Sequence, residues 1–178
     1  MHKNLPGNSG LTLMELMIAI AIIGILTAIA VPNIISWLPN YRLKAVARDF
    51  YSNMQKAKLE AVKQNANVII KFTIGSGRVG SYQVFVDDGG TETDPGTPDN
   101  KIRDGDEQII TTIAMPNNVS LYYNNFSNNT AGYNSRGLPC TALGRVEFKN
   151  NNSRYYKASL SSAGNVKITT SNDGTTWN

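Results

Sequence analysis

From Leu11 to Val31 the chain is apolar on every face a helix could present, and Glu15 is its one charge. These 21 residues match the roughly 20 that a helix needs to cross the hydrocarbon of a bilayer. A single membrane span is predicted. Beyond Val31 the pattern changes character. Pro32 and Pro39 each remove a backbone donor and are expected to bend the helix, while Arg42, Lys44, Arg48 and Asp49 restore charge. Leu43, Val46, Ala47, Phe50, Met54, Ala57 and Ala61 then recur at three- and four-residue spacing, one apolar stripe on a helix running to about Gln64. A stripe needs a surface to cover, so this half of the helix belongs to a core. Taken as nearly one helix, residues 11–64 extend about 80 Å at 1.5 Å per residue.

Past Gln64 the period falls to two. Strands are predicted over 68–74, 82–86, 109–114, 119–123, 145–149, 155–160 and 166–170. Asn150-Asn151-Asn152 and Ser162-Ala163-Gly164-Asn165 read as hairpin turns, because Asn and Gly tolerate positive φ, and the C-terminal part is expected to be a meander. An amphipathic half-helix packed on antiparallel sheet gives an α+β head. About 115 residues follow the helix, enough for one small core.

Charge is uneven along the chain. Between 87 and 107, Asp87, Asp88, Glu92, Asp94, Asp99, Asp104, Asp106 and Glu107 stand against Lys101 and Arg103, a local balance of −6 within an overall +4. Gly89, Gly90, Pro95, Gly96, Pro98 and Gly105 interrupt the same stretch and mark it as an exposed loop. Asp99, Asp104 and Asp106 are closely spaced oxygen ligands and candidates for Ca2+, although no EF-hand pattern is present. The alternatives are a solvated loop and a contact with the basic face of an adjacent subunit. The basic surplus lies on the helix and the last strands, where Arg145 and Lys167 are candidate phosphate contacts.

A carboxylate near one end of a membrane span costs roughly 2.5–3.5 kcal/mol on insertion scales. No Lys or Arg lies within the run to offset Glu15. Cleavage after Gly10 would create a partner, since the new α-amino group of Leu11 would lie about one turn from Glu15, or beside Glu15 of a neighbouring subunit. Glu15 would then set register between subunits. The simpler reading is a carboxylate that snorkels to the interface of an ordinary anchor. A secretory signal places its cleavage site after the apolar region, whereas the small residue Gly10 precedes it, so removing residues 1–10 leaves the helix attached.

Gly10-Leu11-Thr12-Leu13-Met14-Glu15-Leu16 resembles the prepilin peptidase site of type IV pilins and type II secretion pseudopilins. That resemblance implies cleavage between Gly10 and Leu11, N-methylation of Leu11, and Glu15 as the acid that aligns subunits during assembly. Leu11 stands where these proteins usually carry Phe. Gly24 and Pro32 fall where pilins commonly have a Gly and a Pro, between which the helix can loosen inside a filament. The later segments Tyr133-Asn134-Ser135-Arg136-Gly137-Leu138-Pro139, Gly144-Arg145-Val146-Glu147-Phe148 and Ala163-Gly164-Asn165-Val166-Lys167-Ile168 resemble, in their order, the minor pseudopilin H group of GspH/FimT type.

A pilin-like α+β chain of this group implies a leader over 1–10, a transmembrane and assembly helix over 11–38, and a globular head over 39–178. It implies prepilin peptidase, other pilin or pseudopilin subunits, inner-membrane assembly machinery and membrane lipid as partners. The implied location is the bacterial inner membrane, single-pass with the head in the periplasm, and then the filament. Orientation rests on the resemblance, because Lys3 is outnumbered by Arg42, Lys44 and Arg48 across the span. Some FimT-type minor pilins bind DNA through a C-terminal Gly-Arg-x-Arg motif. The matching turn here, Gly164-Asn165-Val166-Lys167, lacks both arginines, which leaves Arg145 and Lys167 as the nucleic-acid candidates.

Cysteine and histidine usage narrows the chemistry. Cys140 is the only cysteine, so no intramolecular disulfide forms, and the only histidine, His2, lies in the predicted leader. A mature chain without His lacks Ser-His-Asp and Cys-His nucleophilic chemistry, His acid–base catalysis and most zinc sites. No enzyme and no cofactor beyond the candidate Ca2+ are expected. The leading expectation is a structural subunit, a minor one, of a type IV pilus or a type II secretion pseudopilus. A DNA-binding minor pilin and a major pilin are the alternatives.

Overall fold

The computed structural model describes residues 11–75, 80–90 and 96–178. Two compact units divide between Leu38 and Pro39. The predicted leader, with Gly10, lies outside the described residues.

One helix, α1, is assigned from Leu13 to Gln64 and continues through Pro32 and Pro39 without a break. In the first unit its apolar side chains are exposed all round, from Leu13 to Ile35. Gly24 meets nothing within 4 Å, and the Thr27 hydroxyl donates to the carbonyls of Ile23 and Gly24 at 2.8 and 3.0 Å. Helix therefore spans the Gly24–Pro32 interval in the isolated chain.

In the second unit all seven residues of the predicted stripe are buried, and Pro39 joins them. They meet two antiparallel sheets. The first has the order β3-β2-β1-β5, built from β1 (Asn67–Ile74), β2 (Gly80–Asp87), β3 (Ile109–Ala114) and β5 (Thr130–Tyr133). The second has the order β4-β6-β7-β8, built from β4 (Val119–Asn124), β6 (Arg145–Asn150), β7 (Tyr155–Leu160) and β8 (Val166–Ser171). Each predicted strand is found, and the last three form the expected meander.

Phe50 ties the layers together. Its ring lies 5.9 Å from Phe72 and 5.3 Å, edge-on, from Tyr82, both in the first sheet, and 5.3 Å from Phe148 in the second. Ala47, Ala57 and Ala61, all on the same stripe and all buried, keep the helix face low enough for these rings to reach it.

Strand β5 was not expected. Thr-Ala-Gly-Tyr is short and lacks the β-branched alternation of its neighbours, and it is a strand because β1 pairs with it, Val68 opposite Tyr133 and Ile69 opposite Gly132. Only glycine fits at 132, where a Cβ would approach Ile69 Cδ1 to 2.7 Å and Cys140 Sγ to 2.9 Å. The turn after β6 also differs in detail. Its positive φ falls on Ser153 rather than on an Asn, because the side chain of Asn150 is used instead, accepting from the amides of Asn152 and Arg154.

Candidate assembly site

The first described residues form a helix start. Thr12 precedes the helix, and its hydroxyl accepts from the Glu15 amide at 3.2 Å. Glu15 reaches back, its Oε2 accepting from the Thr12 amide and hydroxyl, both at 3.2 Å. This is a reciprocal cap that satisfies backbone donors otherwise left open at the end of an apolar helix. Thr-x-x-Glu ahead of an apolar run is the sequence signal for it, a role for Glu15 beyond its charge. Leu11 lies just outside the helix and is 81% exposed.

The acidic loop is built around its carboxylates. Asp87 and Glu107 lie inside the head at 1% exposure, so the loop is not acidic surface throughout as predicted. Lys101 donates its amide to Asp87 Oδ2 at 2.8 Å, and Glu107 accepts from the amides of Gly89 and Asp104 at 3.1 and 3.2 Å. Burial raises both carboxyls above the ordinary carboxylate range, against the lowering effect of those amides. The proposed calcium ligands are engaged in the same way. Asp104 accepts from the Thr97 amide and from Asn100 Nδ2 at 3.0 and 2.8 Å, and Asp99 accepts from Asn67 Nδ2. Among the described residues no three His, Cys, Asp or Glu side chains gather to hold a metal ion, so Asp99, Asp104 and Asp106 are not brought together as a calcium site. The physical reason is that a Gly- and Pro-rich loop needs acceptors for its own amides.

The register of the second sheet places Arg145, Ser159 and Lys167 side by side across β6, β7 and β8. Lys149 and Lys157 share that outward face. Arg145 donates to Glu147 at 2.9 Å and lies 5.2 Å from the Tyr123 ring centre, while Lys157 lies 4.0 Å from the Trp177 ring. The Lys157 ammonium is held below its usual range, first by burial and then by Arg145 and Lys167. The two nucleic-acid candidates are thus brought together, and Arg145 is already paired.

Two of the later segments quoted above, 133–139 and 163–168, also converge. Gly164, at φ +74°, packs where a Cβ would lie 2.6 Å from the Gly137 carbonyl and 3.3 Å from Tyr133 Cε1. Lys58 of α1 donates to the Gly164 carbonyl at 3.3 Å. Their spacing records one buried junction between helix, loop and hairpin.

A helix apolar on all sides over its first half and striped over its second, with the stripe packed on two antiparallel sheets, is the pilin-like α+β architecture. Residues 46–174 match the family described as type II transport protein GspH, and residues 5–31 match the prokaryotic N-terminal methylation motif. The chain belongs to the GspH family. It is 38% identical over 90 residues to the pilin-like protein PilA1 of Thermus thermophilus, 49% of this chain and 54% of that protein, so it spans about half the length of that relative. The type IV minor pilin FimU of Pseudomonas aeruginosa has a similar structure, with TM-score 0.50 and 12% identity over 72% of this chain and 89% of that one. The minor pseudopilin EpsH of Vibrio cholerae aligns at TM-score 0.47 and 10% identity, over 71% and 95% of the two chains.

Proposed function

We propose that the chain is a minor structural subunit of a type IV pilus or type II secretion pseudopilus and acts without catalysis. The observation that carries this reading is the pairing of an N-terminal methylation motif with a helical segment, residues 13–35, whose apolar side chains are exposed all round. Prepilin peptidase cuts between Gly10 and Leu11, Leu11 is methylated, and the helix waits in the inner membrane, head in the periplasm, for the assembly machinery. On assembly Glu15 leaves its cap on Thr12 for the new amine of a neighbouring subunit, a charge pair that a low-dielectric surrounding strengthens. Gly24 and Pro32 supply the interval that loosens as helices pack.

Mass spectrometry of the mature chain should find methylated Leu11 at its start, and an intact Met1 would overturn the reading. Glu15→Gln separates capping from charge, because Gln retains an acceptor for the Thr12 amide. The variant should be inserted and processed yet stay out of filaments; normal incorporation would reduce Glu15 to a cap.

A second reading draws on the outward face of the second sheet, where Arg145, Lys149, Lys157 and Lys167 have Glu147 as the one acid among them. Such a face binds DNA weakly and through phosphates. A salt titration of the head with duplex DNA tests it. Affinity that survives physiological salt and falls on changing Arg145 and Lys167 to Ala favours a DNA-binding pilin, and affinity that vanishes there removes this reading.

A further inference from the structure

The apolar part of α1 is bracketed by two groups that belong at a bilayer surface. Glu15 and Trp37 stand 22 residues apart, about 33 Å at 1.5 Å per residue, against roughly 30 Å of hydrocarbon. Trp37 is exposed, and Trp and Tyr collect where headgroups meet acyl chains. On the reading of residues 13–35 as a membrane anchor, on which this inference rests, the next residues of α1 emerge at the headgroup layer. They include Tyr41, Arg42, Lys44 and Arg48, and Asp49 is the one acid between 38 and 55.

Tyr41, Lys44, Arg48 and Tyr51 recur at spacings of three and four, so they share one face of α1, beside the buried stripe, and all four are exposed. On that side α1 leaves part of the second sheet uncovered. Tyr156 of β7 and Ile168 of β8 pack on the core from the helix side and stay half-buried. Lys44, Ala47, Arg48, Tyr51, Tyr156 and Ile168 line a cleft of about 230 Å³ there, with an apolar floor and the two cations as its charges. Neither Lys44 nor Arg48 is held by an ion pair among the described residues. Arg42, by contrast, donates to the Asn117 carbonyl at 3.3 Å, and Asp49 lines a separate cleft on the β3 side of the helix.

Two unpaired cations over an apolar floor suit a ligand with an anionic head and an apolar body. A soluble anion gains nothing from the tyrosines and the isoleucine, and an uncharged apolar segment gains nothing from the cations. An anionic phospholipid brings both halves, and it is the molecule that surrounds this stretch of an anchored chain. Basic residues close to a membrane surface attract such lipids, and the attraction fades within a Debye length of it. Lys44 follows Trp37 by only seven residues, which is two helical turns.

We propose that the cleft between α1 and the β7–β8 hairpin is a seat for an anionic phospholipid, its phosphate held by Lys44 and Arg48 and its glycerol and first methylenes resting on Tyr51, Tyr156 and Ile168. A head held in this way lies against the bilayer until the subunit leaves the membrane.

The head over 39–178 contains every core residue among those described and can be tested apart from the anchor. Flotation of this head with vesicles of phosphatidylcholine alone, or with about one-third phosphatidylglycerol, should recover it with the second kind only. Lys44→Gln with Arg48→Gln should lower that binding roughly twentyfold, at about fivefold for each basic residue near a charged surface. Arg136→Gln with Arg154→Gln removes equal charge from exposed positions elsewhere, and should change it by less than about twofold. Equal melting temperatures would show that both double variants fold. Equal losses from the two would mean that net charge alone draws the head to the surface, and would overturn the proposal. Equal recovery with both kinds of vesicle also overturns it, as does displacement by millimolar glycerol phosphate, which would make the ligand a soluble anion. The anchor reading fails separately, if alkaline carbonate washes the full chain from membranes.

Discussion

The two halves of α1 use hydrophobic residues in opposite ways. In residues 13–35 they cover the full circumference and stay exposed, Leu13 at 77% and Ile25 at 64%. In residues 43–61 most of them fall on one buried stripe, where Leu43, Ala57 and Ala61 reach 0%, while Tyr51 and Leu59 lie outside it and are exposed. A helix apolar on all sides has no preferred face for its own chain and takes its partners from outside, from lipid or from other subunits. A striped helix has one face to bury and finds the cover in its own strands. The same secondary structure thus carries an intermolecular element and an intramolecular one.

The sharpest way to break the contrast is to remove the same kind of side chain from each half. Phe50→Ala takes away the ring that touches both sheets and should cost the head about 3–5 kcal/mol in denaturant unfolding. Ile25→Ala, in the exposed half, should leave head stability unchanged, and its effect should appear in filament yield. A large loss of head stability from Ile25→Ala would mean that the two halves share a core.

A smaller loss is expected at the junction of helix, loop and hairpin. Gly164→Ala combines a left-handed φ with a 2.6 Å approach to the Gly137 carbonyl, and should destabilise the head by about 1–3 kcal/mol. Lys58→Met, which removes only the hydrogen bond to the Gly164 carbonyl, should cost about 1 kcal/mol.

The smallest effect is a pH dependence confined to the head. Burial lifts the Asp87 and Glu107 carboxyls in the folded state above their unfolded values. The folded state therefore binds protons more readily, and stability should rise as pH falls from 7 toward the ordinary carboxylate range. Asp173 acts in the opposite sense. Hydrogen bonds, first from Ser171 and then from the amides of Thr176 and Thr175, hold its carboxyl below the ordinary range, so its contribution is lost only as pH falls beneath that range. Asp87→Asn keeps the shape, removes one buried charge, and should make the slope above pH 5 shallower in denaturant unfolding at several pH values. A slope unchanged in this variant would assign the dependence elsewhere.

Loop glycines, acids and turns gave mixed guidance. The positions of Gly164 and of the Ser162–Asn165 turn were legible because a hairpin of that length needs positive φ. The acidic loop was misread, since eight carboxylates in a row of glycines and prolines look like surface charge, and nothing local says that Asp87 and Glu107 turn inward. They do so because the strands on either side fix the loop ends and the loop amides need acceptors.

By itself the sequence determined the period of each segment, and with it the apolar span, the buried stripe, the strands with β-branched alternation, and the Thr12-x-x-Glu15 start. These are local properties, readable from spacing and side-chain type. The tertiary structure decided what depends on residues far apart in the chain. It made a strand of 130–133 by pairing it with β1, turned two carboxylates into internal acceptors, and brought Arg145 beside Lys167.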